Sequence, residues 1–202
     1  MSTKLVNWIY YGLGAGVYER VLTATSFGRW WRWQRAALEG VQPDERVLEI
    51  GCGTGRLLAE RLRQGPGVGM DISLPMLRQA HRRLNGAGEG VPIVRADVSG
   101  LPFPDASFDV VIATGVLTAI PNPRPALCEA RRVLRSGGHL SVVEVMQPRR
   151  PTLKSRLAVA ALRAARDNFH DLPRLMGECG FEPDATELGR SGTVHLVKGR
   201  AV

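Results

Sequence analysis

From Arg46 onward the chain alternates short apolar runs with stretches in which apolar residues recur every three or four positions. The runs Arg46–Ile50, Val68–Ile72, Pro92–Ala96, Phe108–Thr114 and His139–Val145 read as strands, since they are short and bounded by Gly, Pro or Asp. Between them, Gly55–Gln64, Leu74–Leu84 and Pro125–Leu134 read as helices. In the last of these, Ala126, Ala130, Val133 and Leu134 share a face, which divides Cys128 and the arginines between a core side and a wet side. At the far end ATELGRSGTVHLVKG reads as a hairpin that turns over Gly189–Gly192, with TVHLV as the final strand. Strands alternating with helices predict an α/β sheet.

The first 45 residues follow a different pattern. All four tryptophans (Trp8, Trp30, Trp31, Trp33) and all three tyrosines (Tyr10, Tyr11, Tyr18) lie there, with Phe27. Packing of a helical pair against the sheet accounts for some of these rings. The remainder are expected to contribute to an apolar pocket.

A length of 202 residues with 44% hydrophobic and 23% charged residues suits one soluble domain, divided here into a cap (1–45), a core (46–145) and a carboxyl-terminal part with a basic lid helix (146–202). The longest uncharged runs are broken by Gly or Pro, so no membrane span is expected. Neither is a secretory leader, and the cytoplasm is the expected compartment. Cys52, Cys128 and Cys179 are odd in number and widely spaced, which predicts reduced thiols rather than disulfides or a metal site. The net charge of +8 is uneven: nine basic residues fall between Arg131 and Arg166 against Glu144 alone. Such a face could meet an acidic surface, or could simply be solvated.

The densest chemical signal is VLEIGCGTG, in which Gly51, Gly53 and Gly55 follow an apolar strand and open a helix. A ligand can approach such a turn without meeting a Cβ. The spacing is G-x-G-x-G and not the dinucleotide fingerprint G-x-G-x-x-G, which disfavours a nicotinamide cofactor. Glu49, just before the glycines, would repel a pyrophosphate and welcome an amine or sulfonium. Asp71 ends the second strand, where an acid can accept from both ribose hydroxyls, and Asp97 ends the third, within reach of an exocyclic adenine amine. Singly each acid could be a cap; Asp71, before Ser73 and Pro75, could merely start a helix. Together they describe a nucleoside with a cationic tail, a description that S-adenosylmethionine matches.

VLEIGCGTG, GMDISLPML, RADVSGLPFPDASFDVVIAT and RVLRSGGHLSVVEV, in that order, resemble the successive motifs of the class I S-adenosylmethionine-dependent methyltransferases. Within them, YERVLTATSFGRWWRWQR, LPFPDASFD and the E-V-M-Q-P run resemble the ubiquinone and menaquinone C-methyltransferases. The resemblance implies a Rossmann-like, doubly wound seven-stranded sheet with an antiparallel last strand, alongside the amino-terminal helical cap. It also implies a cofactor site in which Gly51, Cys52 and Gly53 meet the methionine part and Asp71 holds the ribose. Ile72 and Val98 would flank the adenine, Asp97 would bond its amine, and Thr114 would lie near the methyl-bearing end. Glu49, Gly55, Met76, Tyr18 and Trp33 complete the expected set. The R-N-V element of the quinone enzymes is replaced here by LTAIPN, and no N/D-P-P-Y/F sequence stands after the fourth strand, which argues against adenine or glutamine methylation.

The expected acceptor is a small, largely apolar molecule such as a quinol or phenol. Two alternatives stay open: a phospholipid headgroup methylated at the membrane surface, reached through the basic segment 149–166, or a protein that binds the cofactor without turnover. A nucleic acid is disfavoured, because the arginines come with no recognisable binding module. Of the four histidines only His170 lies near the expected lid, and no catalytic residue is assigned.

Overall fold

A computed structural model describes residues 26, 28–85, 90–148, 160, 169–189 and 192–202. Seven strands form one sheet: β1 (Val47–Ile50), β2 (Gly67–Asp71), β3 (Ile93–Arg95), β4 (Phe108–Thr114), β5 (Leu134–Val145), β6 (Phe181–Leu188) and β7 (Val194–Ala201). Their order is β3-β2-β1-β4-β5-β7-β6. β1 to β5 run parallel, and β7 lies antiparallel to both β5 and β6. The fold is therefore the doubly wound sheet with an antiparallel last strand that the sequence motifs imply. The hairpin expected near the end is formed, with arms longer than TVHLV alone.

Every residue of β1 and β4 is buried, which is why these strands read as unbroken apolar runs. Alternate side chains feed opposite faces of the sheet. Leu48, Ile50, Val111, Ala113, Leu140 and Val142 join one core with α4 (Arg124–Val133) and α5 (Leu172–Glu178). Val47, Val110, Ile112 and Val143 join the other with Ala36 of α1 (Trp30–Ala36) and Leu57 of α2 (Arg56–Leu62). α3 (Leu74–Leu84) buries Met76, Leu77, Ala80 and Leu84, the helical stripe that the sequence shows.

Two expectations are corrected. β5 begins at Leu134, not His139, since Leu134 pairs with Phe108 before an irregularity brings His139 opposite Val110. Gly137, with φ of 74°, turns the chain there. Cys128 and Cys179, expected as thiols, form a disulfide although 51 residues apart, because α4 and the end of α5 pack together; Cys52 is free and buried.

The basic stretch also changes character. Arg132 pairs with Glu129 and Asp105 at 2.7 Å each, and Arg135 with Asp109 at 2.9 Å. Arg131 donates to the carbonyls of Gly180 and Val202. These three staple α4 and the start of β5 to their surroundings. The arginines and lysine from 149 to 166, and with them the expected lid helix and membrane contact, lie outside the described residues. Among the described residues no helix is long and apolar enough to cross a membrane.

Candidate functional site

The strand order reverses between β1 and β4, the place where open α/β sheets leave a crevice beyond the carboxyl ends of their strands. A cleft of about 160 Å³ lies there. One wall is the turn after β1, where Gly51, Gly53 and Gly55 have φ of 67°, 53° and 71°. That left-handed backbone strains any residue with a Cβ. The three glycines differ in what they face. A Cβ on Gly51 would stand 2.6 Å from Val116 Cγ2, and one on Gly55 would stand 2.9 Å from the Cβ of Ala80 in α3, whereas one on Gly53 would meet nothing within 4 Å. Gly51 and Gly55 thus permit close packing of the turn, and Gly53 opens it to the cleft.

Three acids, at or just beyond the ends of β1, β2 and β3, stand in different electrostatic states. Asp71, at the end of β2, accepts from the N–H of Gly53 at 2.9 Å and of Ser73 at 2.8 Å; burial raises its pKa while these donors lower it. It therefore joins the glycine turn to the start of α3, whose N-cap is Ser73. Asp97 is exposed and accepts at 2.8 Å and 2.7 Å from the N–H and hydroxyl of Ser99, which hold its carboxyl below the usual range. Glu49 is 3% exposed, and burial together with the charge of Asp71 pushes its pKa up to about 8. Its Oε2 has no hydrogen-bond partner among the described residues. A buried carboxylate oxygen left without a donor is costly unless a cation or donor arrives.

The opposite wall follows β4. Thr114 accepts from Gln34 Nε2 at 3.0 Å, and Gly115 sits against the Trp30 ring, 2.8 Å from where its Cβ would be. Val116, Ala119 and Ile120 then face the cleft, around a single 3₁₀ turn at Leu117–Ala119. His170 Nε2 lies 3.1 Å from the carbonyl of Ile120, so this histidine touches the back of the wall.

Of the residues anticipated from sequence, Gly51, Gly53, Asp71, Ile72, Met76, Asp97, Val98 and Thr114 line the cleft together. Glu49 and Cys52 are buried instead of lining it; Cys52 makes van der Waals contact beside Gly69, and burial pushes its thiol pKa far up. Gly55 packs on α3. Trp33 lies elsewhere: it stacks edge-on with Trp30 at 6.4 Å and packs on Gly189 of the terminal hairpin, in the second core. Tyr18 lies outside the described residues. Sequence reading missed Ser73, Gly115, Val116, Ala119 and Ile120, all lining, because their types are commonplace and only the strand order brings them to the crevice.

A methyltransferase-domain family profile matches residues 48–142. The demethylmenaquinone methyltransferase of Tropheryma whipplei is 39% identical over 139 residues, covering 67% of this chain and 57% of that protein. The ubiquinone/menaquinone biosynthesis C-methyltransferase UbiE of Hahella chejuensis is 34% identical over 158 residues, covering 74% and 64%. This chain thus spans about three-fifths of the length of the curated relatives it matches. A Haloferax volcanii methyltransferase solved with the Trm112 methyltransferase activator superposes with a TM-score of 0.76 over 100% of this chain and 99% of its own, at 17% identity, a likeness of fold.

The cleft suits the cofactor of these proteins. Asp71 and Asp97 on one side of the cleft would repel a pyrophosphate, while the partnerless oxygen of Glu49 and the open face of Gly53 are compatible with a cationic amino-acid tail. Fold, matched family and shared motifs agree: the chain belongs to the class I S-adenosylmethionine-dependent methyltransferases, and its motifs are akin to those of the ubiquinone and menaquinone C-methyltransferases.

Proposed function

We propose that this chain transfers a methyl group from S-adenosylmethionine to a small, largely apolar acceptor of the quinol or phenol type. The observation that carries the reading is the contrast between the two sides of one cleft. Acids and glycines stand on the β1–β2–β3 side, and Gly115, Val116, Ala119 and Ile120 on the other carry no charge. The activities for which the quinone-pathway relatives are named support the same acceptor class.

When bound, the cofactor supplies a methyl group already activated on a sulfonium. What the chain contributes is binding, alignment and exclusion of water. In this reading Gly51 to Gly53 receive the cationic tail with the Glu49 carboxyl buried behind them, Asp71 holds the ribose, Ile72 and Val98 clasp the base, and Asp97 accepts from its amine. Met76 floors the same side. Thr114 and Gly115 border the reacting end, and the wall from Val116 to Ile120 shields the acceptor from water. A phenolate or the electron-rich carbon of a quinol is nucleophilic enough that alignment dominates, so no general base is assigned. We further propose that the whole chain acts as one methyltransferase domain.

Turnover tests the reading. The purified chain is incubated with S-adenosylmethionine and a panel of short-chain quinols, phenols and, on vesicles, phosphatidylethanolamine, and S-adenosylhomocysteine is followed by mass spectrometry. Product with the quinols or phenols, independent of vesicles, is expected. Product only with the lipid moves the assignment to headgroup methylation. Binding of S-adenosylhomocysteine without turnover on any acceptor makes the chain a non-catalytic cofactor binder.

A further inference from the structure

Glu144 is the last charged residue of β5 and is completely buried. Its Oε1 accepts from the N–H of Leu117 at 2.6 Å and its Oε2 from the hydroxyl of Thr118 at 2.8 Å. The backbone N–H groups of Val116 and Thr118 also favour its charged form, against a burial penalty that brings its pKa up to about 7. The carboxylate is therefore gathered up by three consecutive residues of the cleft wall.

The framework on either side is fixed. Val143 pairs with Thr114 and its carbonyl accepts from Gly115 N–H at 2.9 Å, so the chain leaves β4 directly beside Glu144. The segment so held is in contact with the rest of the site, since Val116 packs on Gly51 and Val116, Ala119 and Ile120 face the cleft. Its far end is touched by His170 at the carbonyl of Ile120. A buried carboxylate is an expensive way to fill space, and an apolar residue at this position would pack without that penalty. What it supplies instead is a set of strong, directional acceptors that fix the backbone of residues that must be buried.

We propose that Glu144 is the positioning residue of the acceptor wall: its carboxylate, bound to Leu117 and Thr118, holds Val116–Ile120 in the shape against which the acceptor is aligned. The inference rests on the reading of this wall as the acceptor side. Glu144 does not touch the reacting atoms, so its loss acts through acceptor recognition more than through cofactor binding.

The test compares Glu144→Gln with the parent chain. Three quantities are read: S-adenosylhomocysteine affinity by calorimetry, amide hydrogen exchange at Leu117 and Thr118, and KM and kcat for the quinol or phenol that the parent turns over. The expected result is cofactor affinity within about threefold of the parent, exchange at Leu117 faster by roughly tenfold or more, and an acceptor KM raised about tenfold with a smaller fall in kcat. Should the Glu144 variant fail to fold, Thr118→Val, which removes the hydroxyl donor to the carboxylate and keeps the backbone donors, carries the test: its KM rises and Thr118→Ser restores it. Parent-like exchange and parent-like KM in Glu144→Gln, or in Thr118→Val where that pair is used, overturn the inference alone. A parent chain that turns over no acceptor overturns the proposed function, and the acceptor role of Glu144 with it.

Discussion

Glu49 offers a prediction with two signatures of opposite sign. In the ligand-free protein its pKa is pushed up to about 8, so at pH 7 most molecules carry a neutral Glu49. A ligand with an α-ammonium group binds best to the ionised form, and below pH 8 its affinity should fall by up to about tenfold per pH unit as Glu49 protonates. Above that pH the affinity levels off, since the ligand's ammonium, beside its own carboxylate, stays protonated throughout this range. The dissociation constant of S-adenosylhomocysteine should therefore rise by about 50-fold between pH 8 and pH 6 when coupling is complete. Glu49→Gln removes this acid limb and weakens binding at pH 8 by about tenfold, the order expected for a lost attraction between a buried charge and a nearby ammonium.

Stability of the ligand-free chain goes the other way. The folded pKa of Glu49 lies above its unfolded value of 4.5, so the folded state holds the proton more tightly and loses stability as pH rises between 4.5 and about 8. From pH 6 to pH 8 the loss is about 2 kcal/mol, or roughly 4–9 °C in Tm for a chain of this size. Glu49→Gln should flatten that slope and leave the free protein more stable than the parent at pH 8. Calorimetric titrations and thermal scans over pH 6–8.5 measure both. An acid limb and a Tm slope identical in parent and variant would refute the reasoning.

Two further predictions concern the frame. Trp33, which packs on the terminal hairpin, should on replacement by Ala lower Tm by several degrees while S-adenosylhomocysteine affinity, by calorimetry, changes less than about threefold. Reduction of the Cys128–Cys179 link, or Cys128→Ser, should lower stability by roughly 2–4 kcal/mol, since it opens a loop of 51 residues; paired thermal scans with and without reductant check it, and Cys128→Ser should be indifferent to the reductant.

What the sequence discloses and what it hides separate along physical lines. Strands buried on both faces announce themselves as apolar runs, and β4 emerges with the boundaries read from sequence. Turns that need a left-handed backbone announce themselves as glycines, so the side of the cleft lined by glycines and acids, from Gly51 to Asp97, was legible. The opposite wall was not. Val116, Ala119 and Ile120 look like any apolar loop, and the acid that fixes them lies at the end of a different strand, 24 residues beyond Ile120 and reachable only through the sheet. Arg61 is hidden in the same way: nothing in the sequence singles it out, yet it is 1% exposed and donates to the carbonyls of Gln42, Pro43, Glu45 and Pro66. The distribution of cysteines misled too, because spacing in sequence says little about two helices that pack side by side. Charge counting overstated the basic face for a related reason, since Arg131, Arg132 and Arg135 are occupied by carbonyls and carboxylates.

The central claim is that the acid-flanked glycine turn holds the adenosyl cofactor through Asp71. Calorimetric titration of S-adenosylhomocysteine and of NAD into the parent chain and Asp71→Ala tests it most directly. Saturable binding of S-adenosylhomocysteine, weakened by about 100-fold or more in the variant and absent for NAD, is the predicted result. Binding of NAD in its place, or of S-adenosylhomocysteine with equal affinity by parent and variant, would contradict the account.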